Sequence, residues 1–515
     1  MLARCSGAAL VGLEAVEVAV EVDIAPGLPG LQIVGLADAA VQESRERVRA
    51  ALRNSGLRPP LTRVVVSLAP ADLRKQGPAF DLPIALAVLA ASGQLNPSLL
   101  QGIWCAGELG LGGALRPVRG ALSLALAARQ HGARALLLPA ANGAEAALVE
   151  GLPVWPAAAL EEALALLRSP PTGLAPRLQG QALGGDPAID PGDGGRDLAE
   201  VQGQPHGRRA LEIAATGQHH LLLVGPPGSG KTLLARCLPS LLPPLLPNEQ
   251  LELTQLYSVA GLLPQAHGLI RQRPFRSPHH SCSAAALAGG GSTLRPGELS
   301  LAHRGVLFLD ELAEFRRDVL NQLRQPLEQG ELWLSRARQR LRFPCAVTLV
   351  AATNPCPCGW AGDPDHPCRC GTSERLRYWG RLAGPLLDRI DLQVVMRRPA
   401  ASQLRPGLER PNPSVDRSAD VAKRIAAARR RMLQRNPQGL ANGALSSRQL
   451  GQCGRLSPAT LQLWQQAVEQ RSLSARAAER LLRVARTIAD LDDQADVEPS
   501  ALAEALSYRS FDQQP

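Results

Sequence analysis

The sequence predicts an α/β protein, on three observations. The apolar run Leu221-Leu222-Leu223-Val224 reads as a buried strand and leads directly into Gly225-Pro226-Pro227-Gly228-Ser229-Gly230-Lys231-Thr232. The helix-forming stretch Leu233-Leu234-Ala235-Arg236-Cys237-Leu238 follows, and further buried strands are expected at Val306–Leu309 and Val347–Ala351. Far upstream, Val16, Val18, Val20 and Val22 fall at every second position, the mark of a strand with one buried face. The pattern G-x-x-x-x-G-K-T between a strand and a helix is a phosphate-binding turn. Its glycines let successive backbone N–H groups face inward, and the helix adds the positive end of its dipole. Lys231 is expected to reach the β- and γ-phosphates of ATP, and the Thr232 hydroxyl to ligate Mg²⁺.

Taken in order, residues 1–167 form a first region of mixed pattern. Val64-Val65-Val66-Ser67-Leu68 fits a buried strand, and Ala121–Gln130 and Ala157–Leu167 read as helices. Residues 168–197 are rich in Pro and Gly and poor in large apolar groups, so they read as a flexible linker. A second region, 198–400, holds the phosphate turn. A Pro-rich linker at 401–417 precedes a largely helical region at 418–510. Three regions suit a chain of 515 residues.

No stretch approaches the ~20 apolar residues of a bilayer span, and a cytoplasmic protein is expected. The net charge is +10, carried almost wholly by Arg, with Lys only at 75, 231 and 423. That balance suits a polyanion such as nucleic acid, or equally a solvated arginine-rich surface. Aromatic residues make up 3% of the chain, which argues against base stacking as the main binding device. Any nucleic-acid binding is then expected to run through phosphates and to weaken steeply with salt.

About 80 residues past the phosphate turn, Gly305-Val306-Leu307-Phe308-Leu309-Asp310-Glu311 is a strand with an acidic end. Asp310 is the expected Mg²⁺ holder, and Glu311 the residue that polarises the attacking water. The next strand ends at Asn354, whose amide can sense a γ-phosphate and orient that water.

Of ten cysteines, six are scattered and expected to be buried small hydrophobes. The other four, Cys356, Cys358, Cys368 and Cys370, lie in a Gly/Pro/Asp-rich loop at 355–371 with few apolar groups to fold around. Four thiolates suit a structural tetrahedral Zn²⁺. The Cys-x-Cys spacing is tight for zinc, so His366 is an alternative ligand and free or redox-active thiols an alternative use.

Strand–turn–helix, Leu-Phe-Leu-Asp-Glu and Ala-Ala-Thr-Asn-Pro together resemble an AAA+ ATPase. Further segments narrow this to the magnesium-chelatase-like branch and, within it, the YifB/ComM family. They are Gly203-Gln204-Pro205 with Arg208–Ala214, Arg273-Pro274-Phe275-Arg276-Ser277-Pro278-His279-His280, Gly297–His303, Asn354-Pro355-Cys356-Pro357-Cys358-Gly359 and Leu386–Leu392. The resemblance covers nearly the whole chain. It implies a hexameric ring that hydrolyses ATP between subunits and translocates on single-stranded or branched DNA without sequence preference. It further implies a helicase promoting branch migration during natural transformation, recombination proteins being possible partners.

The resemblance also assigns residues. Arg389 matches an arginine finger that enters the neighbouring subunit's ATP site. Arg476 matches a second sensor at the start of a lid helix, with Arg471 and Arg480 as rivals. Gly289–Gly297 and Glu328–Arg338 correspond to a projecting loop and a hairpin that face the ring's channel, making Arg295, Arg336, Arg338 and Arg340 candidate phosphate contacts. In the first region, Gly77–Pro83 and Gly107–Gly120 resemble the proteolytic domain of Lon, an α+β fold with a Ser–Lys dyad. Here Ala79 and Leu122 stand at the dyad positions, so an inactive peptidase fold is expected. Two other classes share the core: a magnesium-chelatase motor subunit driving Mg²⁺ into a porphyrin, and a protein-remodelling ATPase.

Overall fold

The structure, a computed structural model, describes residues 2–171, 195–263, 268–291, 294–336, 339–382, 386–399 and 416–509. Most of the two Pro-rich linkers, 172–194 and 401–415, lies outside the described residues, as does Arg338. The chain forms two compact units that are not contiguous in sequence. One gathers Met1–Ile189, Pro247–Ile270 and Ser335–Arg342; the other gathers Asp190–Leu246, Arg271–Leu334 and Phe343–Pro515.

The first unit is built on a mixed seven-stranded sheet. Its strands are β1 (Leu2–Val11), β2 (Glu14–Ala25), β3 (Gly30–Val34), β4 (Arg63–Ala69), β5 (Ile103–Cys105), β8 (Ala135–Pro139) and β9 (Val154–Ala157), in the order β3-β4-β2-β1-β5-β8-β9. Between β5 and β8, β6 (Glu108–Leu109) and β7 (Leu115–Arg116) form a separate small ribbon. β2 runs antiparallel to both β1 and β4, and the other neighbours are parallel. The alternating valines behave as their period requires: Val18, Val20 and Val22 are fully buried, while Glu14 and Asp23 are exposed. Val16, near the strand's start, is exposed.

Helix Asp81–Ala91 is buried all round and carries one charge, the fully buried Asp81, which accepts from Arg47 Nε at 2.6 Å and from Leu109 N at 3.1 Å. The helix at Ala121–Gln130 lies where its composition predicted. The one expected from Ala157 starts at Leu160, because Ala157 is the last residue of β9. Helix Pro247–Ala260 packs on Ala121–Gln130, where Gln255 Nε2 donates to the Leu13 carbonyl at 2.7 Å.

The second unit carries a parallel five-stranded sheet: β10 (Leu221–Val224), β11 (Phe275–Arg276), β14 (Val306–Leu309), β17 (Thr348–Thr353) and β18 (Leu392–Val395), in the order β11-β14-β17-β10-β18. Both faces are covered. Leu221 and Leu223 enter a core shared with helices Pro205–Gly217, Lys231–Leu241 and Ala475–Leu491, whereas Leu222 and Val224 enter a second core on the opposite face. That is why β10 is apolar at every position instead of alternating. Where a loop is expected at Gly289–Gly297, its base is a short ribbon, β12 (Gly289–Gly290) paired with β13 (Arg295–Pro296), and residues 292–293 lie outside the described residues. The hairpin expected from Glu328 begins later, as β15 (Glu331–Arg336) and β16 (Gln339–Pro344), because Glu328 still belongs to the helix Arg324–Gln329 that Gly330 ends in a left-handed turn; its residues Ser335–Arg342 count with the first unit. The C-terminal region is helical, at Ser418–Arg435, Ser447–Cys453, Pro458–Gln470, Ala475–Leu491 and Pro499–Ser507.

Candidate nucleotide site and cysteine centre

β10 runs between β17 and β18, so the turn that follows it opens at the carboxyl end of a parallel sheet, where such sheets bind ligands. Sterics select its glycines. A Cβ on Gly225 would stand 2.5 Å from the Met396 carbonyl oxygen. Gly228 and Gly230 have φ of +76° and +86° and face open space, which leaves an open cradle at the turn. The Ser229 hydroxyl is buried in this turn without a partner. An open glycine cradle with an orphaned hydroxyl fits a phosphate chain.

Lys231 opens the helix behind the turn and folds back over it. Its Nζ donates to the carbonyls of Gly225 at 2.6 Å and Pro226 at 3.0 Å and to Asn354 Oδ1 at 3.2 Å. Burial pulls the ammonium below its ordinary pKa, against the opposing pull of Asp310 and Glu311. Thr232 Oγ1 donates to Asp310 Oδ2 at 2.8 Å. The structure thus brings Lys231, Thr232, Asp310 and Asn354 together from three neighbouring strands, and the pair of Thr232 and Asp310 suits a Mg²⁺ beside the cradle.

Glu311 turns away from Asp310 through a left-handed backbone, φ +52°, and its carboxylate lies 3.1 Å from His280 Nδ1. His280 lies tilted against His279, ring centres 4.0 Å apart, and meets Phe315 edge-on. Sequence reasoning placed no role on His280. The signal was the His-His pair that follows β11, the strand beside the acidic one.

Arg389 is buried. Its Nε donates to the Arg324 carbonyl at 2.9 Å and its Nη2 lies 2.9 Å from Glu328 Oε1. Arg476, near the start of helix Ala475–Leu491, is 61% exposed and lies 3.6 Å from the same Glu328 oxygen. Its rivals are engaged elsewhere. Arg471 donates to the Leu506 carbonyl at 3.2 Å, while Arg480 donates to the Arg389 carbonyl and to Asp391 Oδ1, both at 2.7 Å.

Burial alone would raise the Asp391 carboxyl, but Arg480, His219 and His220 together hold it well below the usual carboxylate range. Burial pushes His220 down to about 4. Arg480→Ala leaves Asp391 a buried charge without its guanidinium, and chemical denaturation is expected to show about 3–5 kcal/mol lost at neutral pH. Because the folded pKa is depressed, this contribution is full above the unfolded value of about 4 and fades only as pH falls further.

The four cysteines converge. Cys356 Sγ lies 3.4 Å from Cys358 Sγ and 3.7 Å from Cys368 Sγ, and the latter two are 3.6 Å apart. Cys370 Sγ accepts from the Cys358 amide at 3.4 Å, and all four sulfurs lie within 4.8 Å of one another. Zn–S bonds of about 2.3 Å at tetrahedral angles place sulfurs about 3.8 Å apart, so the set fits zinc. His366 is used otherwise, stacked on Trp360 and 3.2 Å from Asp363. The thiols divide: the Trp360 amide helps pull Cys358 down to about 6, whereas burial pushes Cys356 up to about 12. Of the six remaining cysteines, five are buried and Cys282 is partly so.

Among the candidate phosphate contacts, Arg295 and Arg340 are exposed on β13 and β16, and Arg336 closes β15. In the first unit, Leu122 is fully buried and Ala79 packs against the same apolar cluster. Neither side chain can attack a carbonyl or carry a proton.

Family models match three stretches: "Magnesium chelatase, subunit ChlI" over residues 197–404, "Subunit ChlI of Mg-chelatase" over 20–142, and "Magnesium chelatase, subunit ChlI C-terminal" over 415–509. An uncharacterised protein of Mycobacterium tuberculosis is 44% identical across 99% of this chain and 98% of its own length. Uncharacterised protein YifB of Escherichia coli is 43% identical, and competence protein ComM of Haemophilus influenzae 41% identical, each over 98% of this chain and 96% of its own. Identity sustained from end to end, over a chain whose phosphate turn, acidic strand and asparagine meet in one site, makes this chain a member of the YifB/ComM family of magnesium-chelatase-like AAA+ ATPases.

Proposed function

We propose that the protein is an ATP-hydrolysing hexameric motor that moves DNA through its ring, driving branch migration during recombination of incoming DNA in the cytoplasm. The observation that carries the reading is the meeting of Lys231, Thr232, Asp310 and Asn354 around an open glycine cradle. Lys231 would exchange its carbonyl partners for β- and γ-phosphate oxygens. Thr232 and Asp310 would hold Mg²⁺, which would supply positive charge for the phosphate oxygens. Glu311 accepts a proton as the water oxygen bonds to the γ-phosphorus and the bond to the ADP oxygen breaks, with Asn354 orienting that water. Arg389 of one subunit serves the site of the next, and Arg476 reports from the helical region at 418–510, acting as a lid. The cysteine centre at 355–371 holds a structural Zn²⁺, and the region 1–167, Lon-like without a peptidase dyad, serves assembly or docking.

DNA as the cargo draws support from the net charge of +10, from exposed Arg295 and Arg340, and from a relative named as a competence protein. Contacts through phosphates make binding insensitive to sequence and steeply dependent on salt. The chelatase family models favour a second reading, a motor subunit for metal insertion.

A synthetic four-way junction distinguishes the two. Branched DNA is expected to stimulate ATP turnover and to be migrated, and Lys231→Ala to abolish both. A purified hexamer that binds neither single-stranded nor forked DNA at low salt overturns the DNA reading. Turnover that depends on a porphyrin and chelatase partners would replace it with the second.

A further inference from the structure

The cysteine loop is tied to the phosphate cradle at two points. Cys356 follows Asn354 by two residues, and Asn354 accepts from Lys231. Between them, the Pro355 carbonyl accepts from Trp379 Nε1 at 3.0 Å, which fixes the chain where the loop departs. Inside the loop, Gly359 presses on the cradle itself. A Cβ there would stand 2.8 Å from Pro227 Cδ and 3.1 Å from its Cγ, and φ is +85°.

The turn that seats Gly359 is shaped by the first cysteine. The Gly359 amide donates to the Cys356 carbonyl at 3.0 Å, and the Ala361 amide to Cys356 Sγ at 3.3 Å. Apolar packing does little to hold this loop, since Cys356 and Gly359 are its only buried residues between 356 and 371. Asp363, which accepts from the Asp365 and His366 amides at 2.9 Å, and the Trp360–His366 stack order its middle, and the approach of its two ends depends on what joins the four sulfurs.

We propose that a metal ion held by Cys356, Cys358, Cys368 and Cys370 fixes Gly359 against Pro227 and Asn354 against Lys231, so that metal occupancy governs nucleotide affinity. The inference rests on the ATPase and zinc readings above and adds a coupling between them. Linkage makes the coupling mutual: nucleotide must raise the affinity for the metal by the factor by which the metal raises the affinity for nucleotide.

Full-length protein tests this without turnover. Zinc content is read by elemental analysis and ADP affinity by calorimetric titration. Chelation, or Cys370→Ser, is expected to weaken ADP about tenfold, within the usual range of coupling between sites. Zinc added back to the chelated protein restores affinity, and saturating ADP tightens zinc by the same factor against a competing chromophoric chelator. Gly359→Ala contributes no ligand and retains zinc, yet weakens ADP by wedging the loop off Pro227. Metal-free protein that keeps its circular dichroism and binds ADP as tightly as the zinc form overturns the coupling. So does Gly359→Ala with unchanged ADP affinity, a readout that survives if the metal-free chain unfolds. Wild-type protein that binds no ADP sinks the ATPase reading, and with it the coupling. Protein that binds ADP but carries no metal sinks the zinc reading, and the coupling with it.

Discussion

Glu311→Gln is expected to cut ATP turnover by about 10²–10⁴-fold, the usual worth of a positioned general base, while ADP affinity stays that of the parent chain. The expectation rests on how the two acidic residues at the end of β14 divide. Asp310 accepts from Thr232, the pair proposed to hold the cation, whereas Glu311 leaves in a left-handed turn and its carboxylate lies against His280. Gln keeps the shape and can still meet His280, but it cannot accept a proton. Asp310→Asn should differ in kind, weakening nucleotide binding in Mg²⁺ through a lost ligand. Single-turnover hydrolysis beside ADP titration separates the two. Undiminished single-turnover chemistry in Glu311→Gln would place the base elsewhere.

His280 qualifies that picture. Its ring nitrogen lies 3.1 Å from the Glu311 carboxylate, so a Glu311 engaged there is not addressing water. His280→Ala removes that tether and is expected to raise turnover in the absence of DNA, leaving less for DNA to stimulate. The measurement is the ratio of turnover with and without a junction substrate. An unchanged ratio would make the pair an incidental contact.

What the sequence disclosed and what it concealed follow one physical division. The phosphate turn was legible because the feature is local: contiguous residues form strand, turn and helix, and the steric demand for glycine is written at fixed positions. Asp310 and Asn354 were legible because each ends an apolar strand. The convergence of the four cysteines was legible because they are closely spaced in a loop with few apolar groups.

Side-chain encounters set by tertiary packing were not legible. Glu311 meets His280 across the sheet, and one carboxylate, Glu328, stands beside both Arg389 and Arg476. The pairing of Arg480 with Asp391 was hidden likewise. Unit membership was hidden for the same reason. Helix Pro247–Ala260 follows the phosphate-turn helix in sequence, but it completes the first unit through Gln255 and its packing on Ala121–Gln130. A hydrophobic pattern says that a helix has a buried face and does not say which core buries it.

Arg389→Ala is expected to lower turnover by about 10³–10⁵-fold, the range for a guanidinium that meets charge developing on a transferred phosphoryl group. In this chain the guanidinium is held by Glu328 and the Arg324 carbonyl, so service to a neighbouring site requires it to exchange those partners when the ring closes. A mixing experiment separates that role from a purely structural one. Rings of Arg389→Ala alone and of Glu311→Gln alone are both inactive, but each variant keeps the group that the other lacks. In random one-to-one rings about a quarter of the seams pair an intact Glu311 with an intact Arg389 from the next subunit. Turnover should therefore reappear on mixing, to roughly that fraction of the parent rate if seams act independently. A structural Arg389 predicts something else: a lowered melting temperature and no rescue, because a damaged subunit stays damaged whatever stands beside it. Recovery on mixing with an unchanged melt would locate hydrolysis at the seam between subunits, and failure to recover with both variants assembled would return Arg389 to the interior of its own chain.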